Sequence, residues 1–110
     1  MKQLPSFPQD TSLSALQAYS EAICQARGWD QTNSLETFLL LSEEMGELAK
    51  AIRNRINLFQ EEGKQIKEGE LEGEFADVLS YLLQLANQFG IDLAEAYRQK
   101  EEENAQRSWD

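Results

Sequence analysis

Four acidic residues recur as two pairs with the same spacing. Glu44 and Glu47 stand three residues apart, and Glu74 and Asp77 repeat this spacing further along the chain. Leu41 and Leu71 stand three residues before the first member of each pair. On a helical wheel, the two members of each pair lie about 60° and about 120° from that leucine. If the two segments form neighbouring helices, the four carboxylates converge on one place.

Converging carboxylates repel one another by about 4 kcal/mol per pair at about 4 Å and an effective dielectric near 20, so a cation is expected to neutralise them. The chain has no His and a single Cys, Cys24, which excludes a Cys/His zinc site. Clustered hard oxygen ligands suit Mg²⁺ or Mn²⁺, and magnesium in such sites shares its coordination sphere with substrate phosphates. The pattern therefore favours a divalent-cation site that takes a phosphate ester. The alternative is a solvated glutamate-rich surface, since Glu is a strong helix former.

Polar residues near the end of the chain complement the acidic pairs. Lys100, Asn104 and Arg107 follow Tyr97 on what is otherwise an inward, apolar helix face, and they fall within about 60° of one another. The three glutamates at 101–103 are expected to point elsewhere. Two cations and an amide at this place can hold phosphate oxygens. The alternative is that the cations complement the helix dipole and pair with nearby Glu.

Two further residues are candidates for chemistry. Glu43 lies on a more polar face beside the first acidic pair, where it can take a proton from water, hold a second ion or serve as a surface residue. Trp29 follows Gly28 in a polar loop. It can cover the end of a helical core or stack on a nucleobase.

The elements that must position these residues are helices, because no stretch alternates with period two. Residues 1–10 are predicted to be an extended lead-in, 11–110 a single helical domain, and 57–70 a solvated connection. The fold class is all-α, an antiparallel four-helix bundle. The predicted helices span about 13–28, 34–56, 70–89 and the residues after Asp92.

Capping residues and apolar stripes support these boundaries. Thr11 or Ser12, Asn33 with Glu36, and Asp92 are spaced as N-caps, and Gly90 stands where a left-handed C-cap belongs. The residues predicted to form the buried stripes of the second and third helices are Phe38, Leu41, Met45, Leu48, Ile52, Ile56, Leu71, Phe75, Val78, Leu82, Leu85, Ala86 and Phe89.

Composition limits the classes of partner. The chain has 110 residues and a formal charge of −10, which argues against non-specific binding to nucleic acid or anionic membranes. No apolar run approaches the roughly 20 residues of a membrane span, and the N-terminus has no signal-peptide core. One cysteine cannot form an internal disulfide, so a reducing cytoplasm is the expected compartment.

Taken together, these residues resemble the MazG-like all-α nucleoside triphosphate pyrophosphohydrolases. The signature of that family stands here as Glu43-Glu44-x-x-Glu47 and Glu74-x-x-Asp77, and the resemblance covers roughly 13–109. The segment 27–31 is similar to a loop of the dCTP pyrophosphatase branch, in which an equivalent Trp contacts the base. Where that branch has a second stacking Trp, residues 51–54 contain no aromatic residue.

The resemblance implies hydrolysis of a (deoxy)nucleoside triphosphate to a monophosphate and pyrophosphate, with cleaning of the nucleotide pool as an expected role. It implies that Glu43 positions or deprotonates the attacking water and that relatives assemble as dimers or tetramers whose bundle is completed between subunits. The alternatives are a non-catalytic helical module that binds nucleotide, metal or a partner, and a purely structural bundle. The implied Mg²⁺ ligands, with Mn²⁺ as a substitute ion, are Glu44, Glu47, Glu74 and Asp77. The implied substrate-binding residues are Trp29, Lys100, Asn104 and Arg107.

Overall fold

The computed structural model describes residues 3–56 and 69–107. These ranges contain four α-helices and no strand, which confirms the all-α prediction. Most of the predicted connection over 57–70 lies outside the described residues. None of the described helices is both long and apolar enough to cross a membrane. The helices are α1 Leu13–Arg27, α2 Ser34–Arg55, α3 Glu70–Gln88 and α4 Leu93–Gln106, with a short 3₁₀ turn, Trp29–Gln31, between α1 and α2.

Local side chains set the beginnings of α1 and α2. The Ser12 hydroxyl accepts a hydrogen bond from the amide of Ala15 at 3.2 Å. Asn33 Oδ1 accepts from the amide of Glu36 at 2.8 Å, and Glu36 Oε1 accepts from the amide of Asn33 at 3.0 Å. This capping box satisfies amides that have no partner inside the helix. The predicted caps are confirmed at both helices.

The turn from α3 into α4 is a Schellman motif. Gly90 has a φ of +67°, a left-handed value that glycine adopts without steric cost. The amide of Gly90 donates to the carbonyl of Asn87 at 3.1 Å, and the amide of Ile91 donates to that of Ala86 at 2.9 Å. The carboxylate of Asp92 then accepts from an amide in the first turn of α4. The predicted C-cap and N-cap are both confirmed.

The chain divides into two compact units. The first comprises Met1–Thr32 with Leu83–Asp110, and therefore includes α1, the 3₁₀ turn, the end of α3 and α4. The second, Asn33–Leu82, includes α2 and most of α3. The single helical domain over 11–110 stays a prediction.

In the first unit, a buried polar network joins α1 to the turn between α3 and α4. Gln17 is 8% exposed. Its Nε2 donates to Asn87 Oδ1 at 3.0 Å and to the carbonyl of Ile91 at 2.8 Å, while its Oε1 accepts from the amide of Leu93 at 3.0 Å. Asn87 Nδ2 donates in return to the carbonyl of Gln17 at 2.9 Å. Because the Gln17 amide is fully paired, its burial carries little penalty.

The predicted apolar stripes are only partly buried in the single chain. Leu41 is 9% exposed, as expected, but Met45 is 55% and Phe75 56% exposed. Tyr97 is 67% exposed and no described residue of α4 is buried, so the inward face predicted for α4 is wrong for this chain alone. A chain of this size buries a smaller fraction of its surface than a larger domain does. The buried positions on α2 and α3 are Thr37, Leu41, Ala51, Leu83 and Ala86.

Candidate functional site

Three of the four predicted carboxylates lie together in the second unit. Glu44 of α2 and Glu74 and Asp77 of α3 each offer one oxygen atom, and these three atoms lie within 4.8 Å of one another. Glu44 and Glu74 are half-buried, whereas Asp77 is exposed. These three residues, one from α2 and two spaced i, i+3 on α3, are called the acidic cluster.

Helix pairing brings these residues together. Nη1 of Arg55, at the end of α2, lies 3.7 Å from Oε1 of Glu72, near the start of α3. Glu44, eleven residues earlier on α2, lies instead beside Glu74 and Asp77. The later residue of α2, Arg55, thus contacts the earlier residue of α3, Glu72. The two helices are therefore antiparallel here. Burial of Leu41, one turn before Glu44, sets the rotation of α2 that places this carboxylate at the edge of the apolar face.

The cluster is electrostatically unfavourable without a cation. Burial raises the pKa of Glu44 most, the charges of Asp77, Glu74 and Glu47 raise it further, and a hydrogen bond with the Glu74 side chain adds to the rise. Oε2 of Glu74 is buried and accepts no hydrogen bond from any described residue. None of the ion pairs among the described residues includes a member of the cluster. Since an unpaired buried carboxylate oxygen is costly, this donor set fits a hard divalent cation.

Glu47 and Glu43 occupy different positions from the cluster. Glu47 is exposed and lies outside the group of three, although its charge contributes to the raised pKa of Glu44. The predicted convergence of four carboxylates is therefore a convergence of three with a fourth charge nearby. Glu43 is exposed on α2, next to Glu44 in the chain.

The three polar residues predicted on α4 belong to the first unit. Lys100 is exposed, and its Nζ lies 3.7 Å from Oε2 of Glu103, so the expectation that this glutamate points elsewhere is wrong. Asn104 is half-buried. Arg107 caps the helix with extended backbone, φ −80° and ψ 144°, and its amide donates to the carbonyl of Asn104 at 3.2 Å. Because α4 ends at Gln106, Arg107 does not continue the helical face as predicted.

Trp29 begins the 3₁₀ turn in the first unit. Its side chain is 51% exposed, in contrast to what a lid over the core requires. The guanidinium carbon of Arg27 lies 4.9 Å from the centre of the indole ring, a cation–π contact. Gln84 Nε2 donates to the carbonyl of Trp29 at 3.2 Å. Sequence periodicity pointed to neither contact, because Arg27 and Gln84 lie outside the apolar stripes.

The described residues form helices only, and α2 and α3 bring three carboxylates together. The model of the MazG nucleotide pyrophosphohydrolase domain matches residues 32–108, which is more than half of the chain. The chain therefore belongs to this family, and the resemblance drawn from the sequence is confirmed. The matched range includes both acidic pairs and the polar residues of α4, and it begins after Trp29. No curated protein matches the chain.

Proposed function

We propose that the protein is a Mg²⁺-dependent nucleoside triphosphate pyrophosphohydrolase. The observation that carries this proposal is the acidic cluster, three carboxylate oxygens within 4.8 Å of one another, in a chain of the MazG family. The family indicates nucleotide pyrophosphohydrolase chemistry, and the cluster supplies the donor set that such chemistry needs. Water would add to phosphorus, the bridge between the α- and β-phosphates would break, and the products would be a monophosphate and pyrophosphate.

Glu44, Glu74 and Asp77 would hold the divalent cation, with Glu47 as a fourth ligand. The buried, unpaired Oε2 of Glu74 supports this assignment, because a cation gives that atom the partner it lacks. Mg²⁺ fits a set made only of carboxylates, and Mn²⁺ would substitute for it. When bound, such an ion lowers the pKa of coordinated water and withdraws charge from phosphate oxygens.

Glu43 would orient the attacking water and accept its proton. It is exposed to solvent and adjoins Glu44 in the chain, so the carboxylate is accessible to water. A positioned carboxylate acting as general base typically contributes a factor of about 10²–10⁴ to the rate. The expected phenotype of Glu43→Gln is therefore loss of turnover with metal binding retained.

Lys100, Asn104 and Arg107 would bind the phosphates of the substrate. Hydrogen bonds from charged donors to phosphate are short and strong, and they stabilise charge that develops on the leaving pyrophosphate. Trp29 would stack on the nucleobase, which its half-exposed indole permits. Stacking recognises any base, so the residues proposed here do not select one nucleotide.

The setting of the enzyme is also a proposal. We propose a homodimer or homotetramer, since the large apolar side chains left exposed on α2 and α3, such as Leu39 at 60%, form the kind of surface that a second subunit covers. We propose a cytoplasmic compartment, which suits the free, buried thiol of Cys24. The proposed role is the cleaning of the nucleotide pool.

The test is pyrophosphate release from a panel of canonical and modified nucleoside triphosphates, with Mg²⁺, with Mn²⁺ and with a chelator. We expect release that needs the metal and that Glu44→Gln abolishes while helical content is unchanged. Glu21→Gln, on an exposed position of α1, is the control and should retain full activity. Nucleotide binding without release in either metal would support the non-catalytic module instead. If the chain neither binds nor hydrolyses any nucleotide of the panel, the structural bundle is supported instead.

A further inference from the structure

We infer that Gln84 and Gln88 are positioning residues that hold the turn carrying Trp29 in the orientation needed for nucleobase binding. The inference rests on the proposed stacking role of Trp29. It goes beyond that role because it assigns the task of pre-orienting the indole to two amides of α3 that bond the turn.

The two amides bond the backbone of the turn at both of its ends. Gln84 Nε2 donates to the carbonyl of Trp29 at 3.2 Å and to Oγ1 of Thr32 at 3.4 Å. Gln88 Nε2 donates to the carbonyl of Thr32 at 3.0 Å. Since Gln84 and Gln88 are spaced i, i+4 on one helix, they present their amides side by side. A rigid helix thus fixes the residue that begins the turn and the residue that follows it.

The turn is also held by local contacts: Thr32 Oγ1 donates to the carbonyl of Trp29 at 3.4 Å, and the amide of Gly28 donates to the carbonyl of Gln25 at 3.3 Å. It is a single 3₁₀ turn of three residues, Trp29–Gln31, and hydrogen bonds in such short pieces have poor geometry. Gly28, before it, has a φ of +74°, a conformation from which glycine departs easily. The residue after it, Thr32, has extended backbone. The two amides of α3 therefore add a restraint from a distant part of the chain to these local contacts.

Burial does not orient the indole either. The ring is 51% exposed, and its one described ring contact is the guanidinium of Arg27, itself an exposed side chain. An exposed aromatic ring that is held through its backbone is pre-organised for a ligand, since less freedom is lost on binding. Loss of the clamp therefore weakens binding and leaves the chemical step intact.

The experiment measures kcat and KM for Gln84→Met, Gln88→Met and the double variant, with the triphosphate that the wild type hydrolyses fastest. Methionine keeps the length of the side chain and removes the donors. We expect the double variant to raise KM about 3- to 10-fold, as loss of modest hydrogen bonds does, with kcat unchanged. Trp29→Ala should raise KM about 5- to 150-fold, the range of base stacking. Gln25→Met, an exposed position on α1, is the matched control and should leave both constants unchanged.

A second readout follows the indole directly. In a Trp109→Phe background, Trp29 is the one tryptophan of the chain, because the sequence contains two. We expect the fluorescence anisotropy of Trp29 to fall in the double variant and to stay constant in Gln25→Met. Such a fall supports the inference, and its absence overturns it.

The kinetic outcomes separate this inference from the proposed function. An active wild type whose KM does not respond to the double variant overturns the positioning role alone, as does a fall in kcat at constant KM. An active wild type whose KM does not respond to Trp29→Ala overturns the stacking role and the inference with it. A wild type that releases no pyrophosphate overturns the proposed function.

Discussion

Gln17 and Asn87, 70 residues apart in the chain, bond each other twice: Gln17 Nε2 donates to Asn87 Oδ1 at 3.0 Å, and Asn87 Nδ2 donates to the carbonyl of Gln17 at 2.9 Å. The same glutamine accepts from the amide of Leu93, the first residue of α4. The start of α4 is therefore fixed by one buried amide on α1. Because α4 carries Lys100 and Asn104, this amide also supports two of the residues proposed to bind phosphate.

Replacement of Gln17 by methionine should destabilise the chain by about 2 kcal/mol. The variant keeps the volume of the side chain but leaves Asn87 Oδ1, the Ile91 carbonyl and the Leu93 amide without their partner. One fully buried unsatisfied group costs about 1–3 kcal/mol, and these three hydrogen bonds are only partly buried, so water offsets much of their loss. Urea unfolding followed by circular dichroism measures the change in the free energy of unfolding. Gln25→Met, at an exposed position of the same helix, should change it by less than about 0.5 kcal/mol. Equal effects of the two variants would show that the network contributes nothing.

Substitution of Glu44 by glutamine should stabilise the metal-free chain at neutral pH while it abolishes activity. Burial and the charges of Asp77, Glu74 and Glu47 raise the pKa of Glu44, so the folded chain holds its proton more tightly than the unfolded chain does. The neutral amide removes that repulsion, and with it one oxygen ligand. Thermal unfolding in the presence of a chelator, together with the pyrophosphate assay, measures both effects.

The same shift of the Glu44 pKa predicts a pH dependence. A carboxyl whose pKa is raised on folding lowers stability as it ionises, so the contribution of Glu44 to the stability of the metal-free chain should fall from about pH 4, the ordinary glutamate range, upward through the raised pKa. Glu44→Gln should lose less over this window. Two melting-temperature curves that stay parallel between about pH 4 and pH 7 would contradict the predicted electrostatic strain.

Mg²⁺ should stabilise the folded chain, and more so with a nucleotide present. A ligand that binds only the folded state at a hundred times its Kd adds about 2.7 kcal/mol to the free energy of unfolding. Glu74→Gln should lose this stabilisation, since the side chain loses the charge and the unpaired oxygen offered to the ion. Glu72→Gln, an exposed position on the same helix that pairs with Arg55, should keep it. A wild-type melting temperature that does not respond to Mg²⁺ would contradict the metal site.

Local signals in the sequence were sufficient for the helix ends, but not for the acidic cluster. The capping box of Asn33 and Glu36 and the left-handed Gly90 depend on neighbouring residues alone, so their spacing predicts them. The cluster needs one long-range assumption, that α2 and α3 are neighbours, and the repeated spacing of carboxylates and leucines supplied it. The departure is Glu47, which the wheel places toward the cluster but which the structure leaves exposed and outside it.

Other features were not predictable from periodicity. Gln17 and Asn87 find each other through the tertiary fold, and a polar residue in an apolar pattern gives no sign of a distant partner. The sequence spacing of Arg107 from Lys100 and Asn104 fits one helical face. However, α4 ends at Gln106, and the backbone of Arg107 is extended. Met45 and Phe75 fit their stripes and remain exposed, because a helical pattern identifies an apolar face without identifying what covers it.

Loss of the Arg107 side chain should weaken binding of the triphosphate more than it slows the reaction. A hydrogen bond from a charged donor to phosphate is worth about 1.5–3 kcal/mol, which corresponds to a rise in KM of about 10- to 150-fold for Arg107→Ala. Lys100→Ala should also raise KM. The ion pair of Lys100 with Glu103 is exposed to solvent, so the lysine can leave this partner to bind phosphate. Both effects should shrink at high salt, because exposed charges are screened.

Arg98 is the matched control for this prediction. It lies on α4 within two residues of Lys100, but its guanidinium is engaged by Glu95 on one side and Glu102 on the other. Arg98→Ala removes the same formal charge from the same helix as Arg107→Ala. If phosphate recognition depends on particular donors, KM should stay within about twofold of the wild type in Arg98→Ala, the size of effect expected from a change in distant surface charge. If Arg98→Ala raises KM as much as Arg107→Ala, the contribution of α4 is the net charge of the helix, and Arg107 has no specific contact with the substrate.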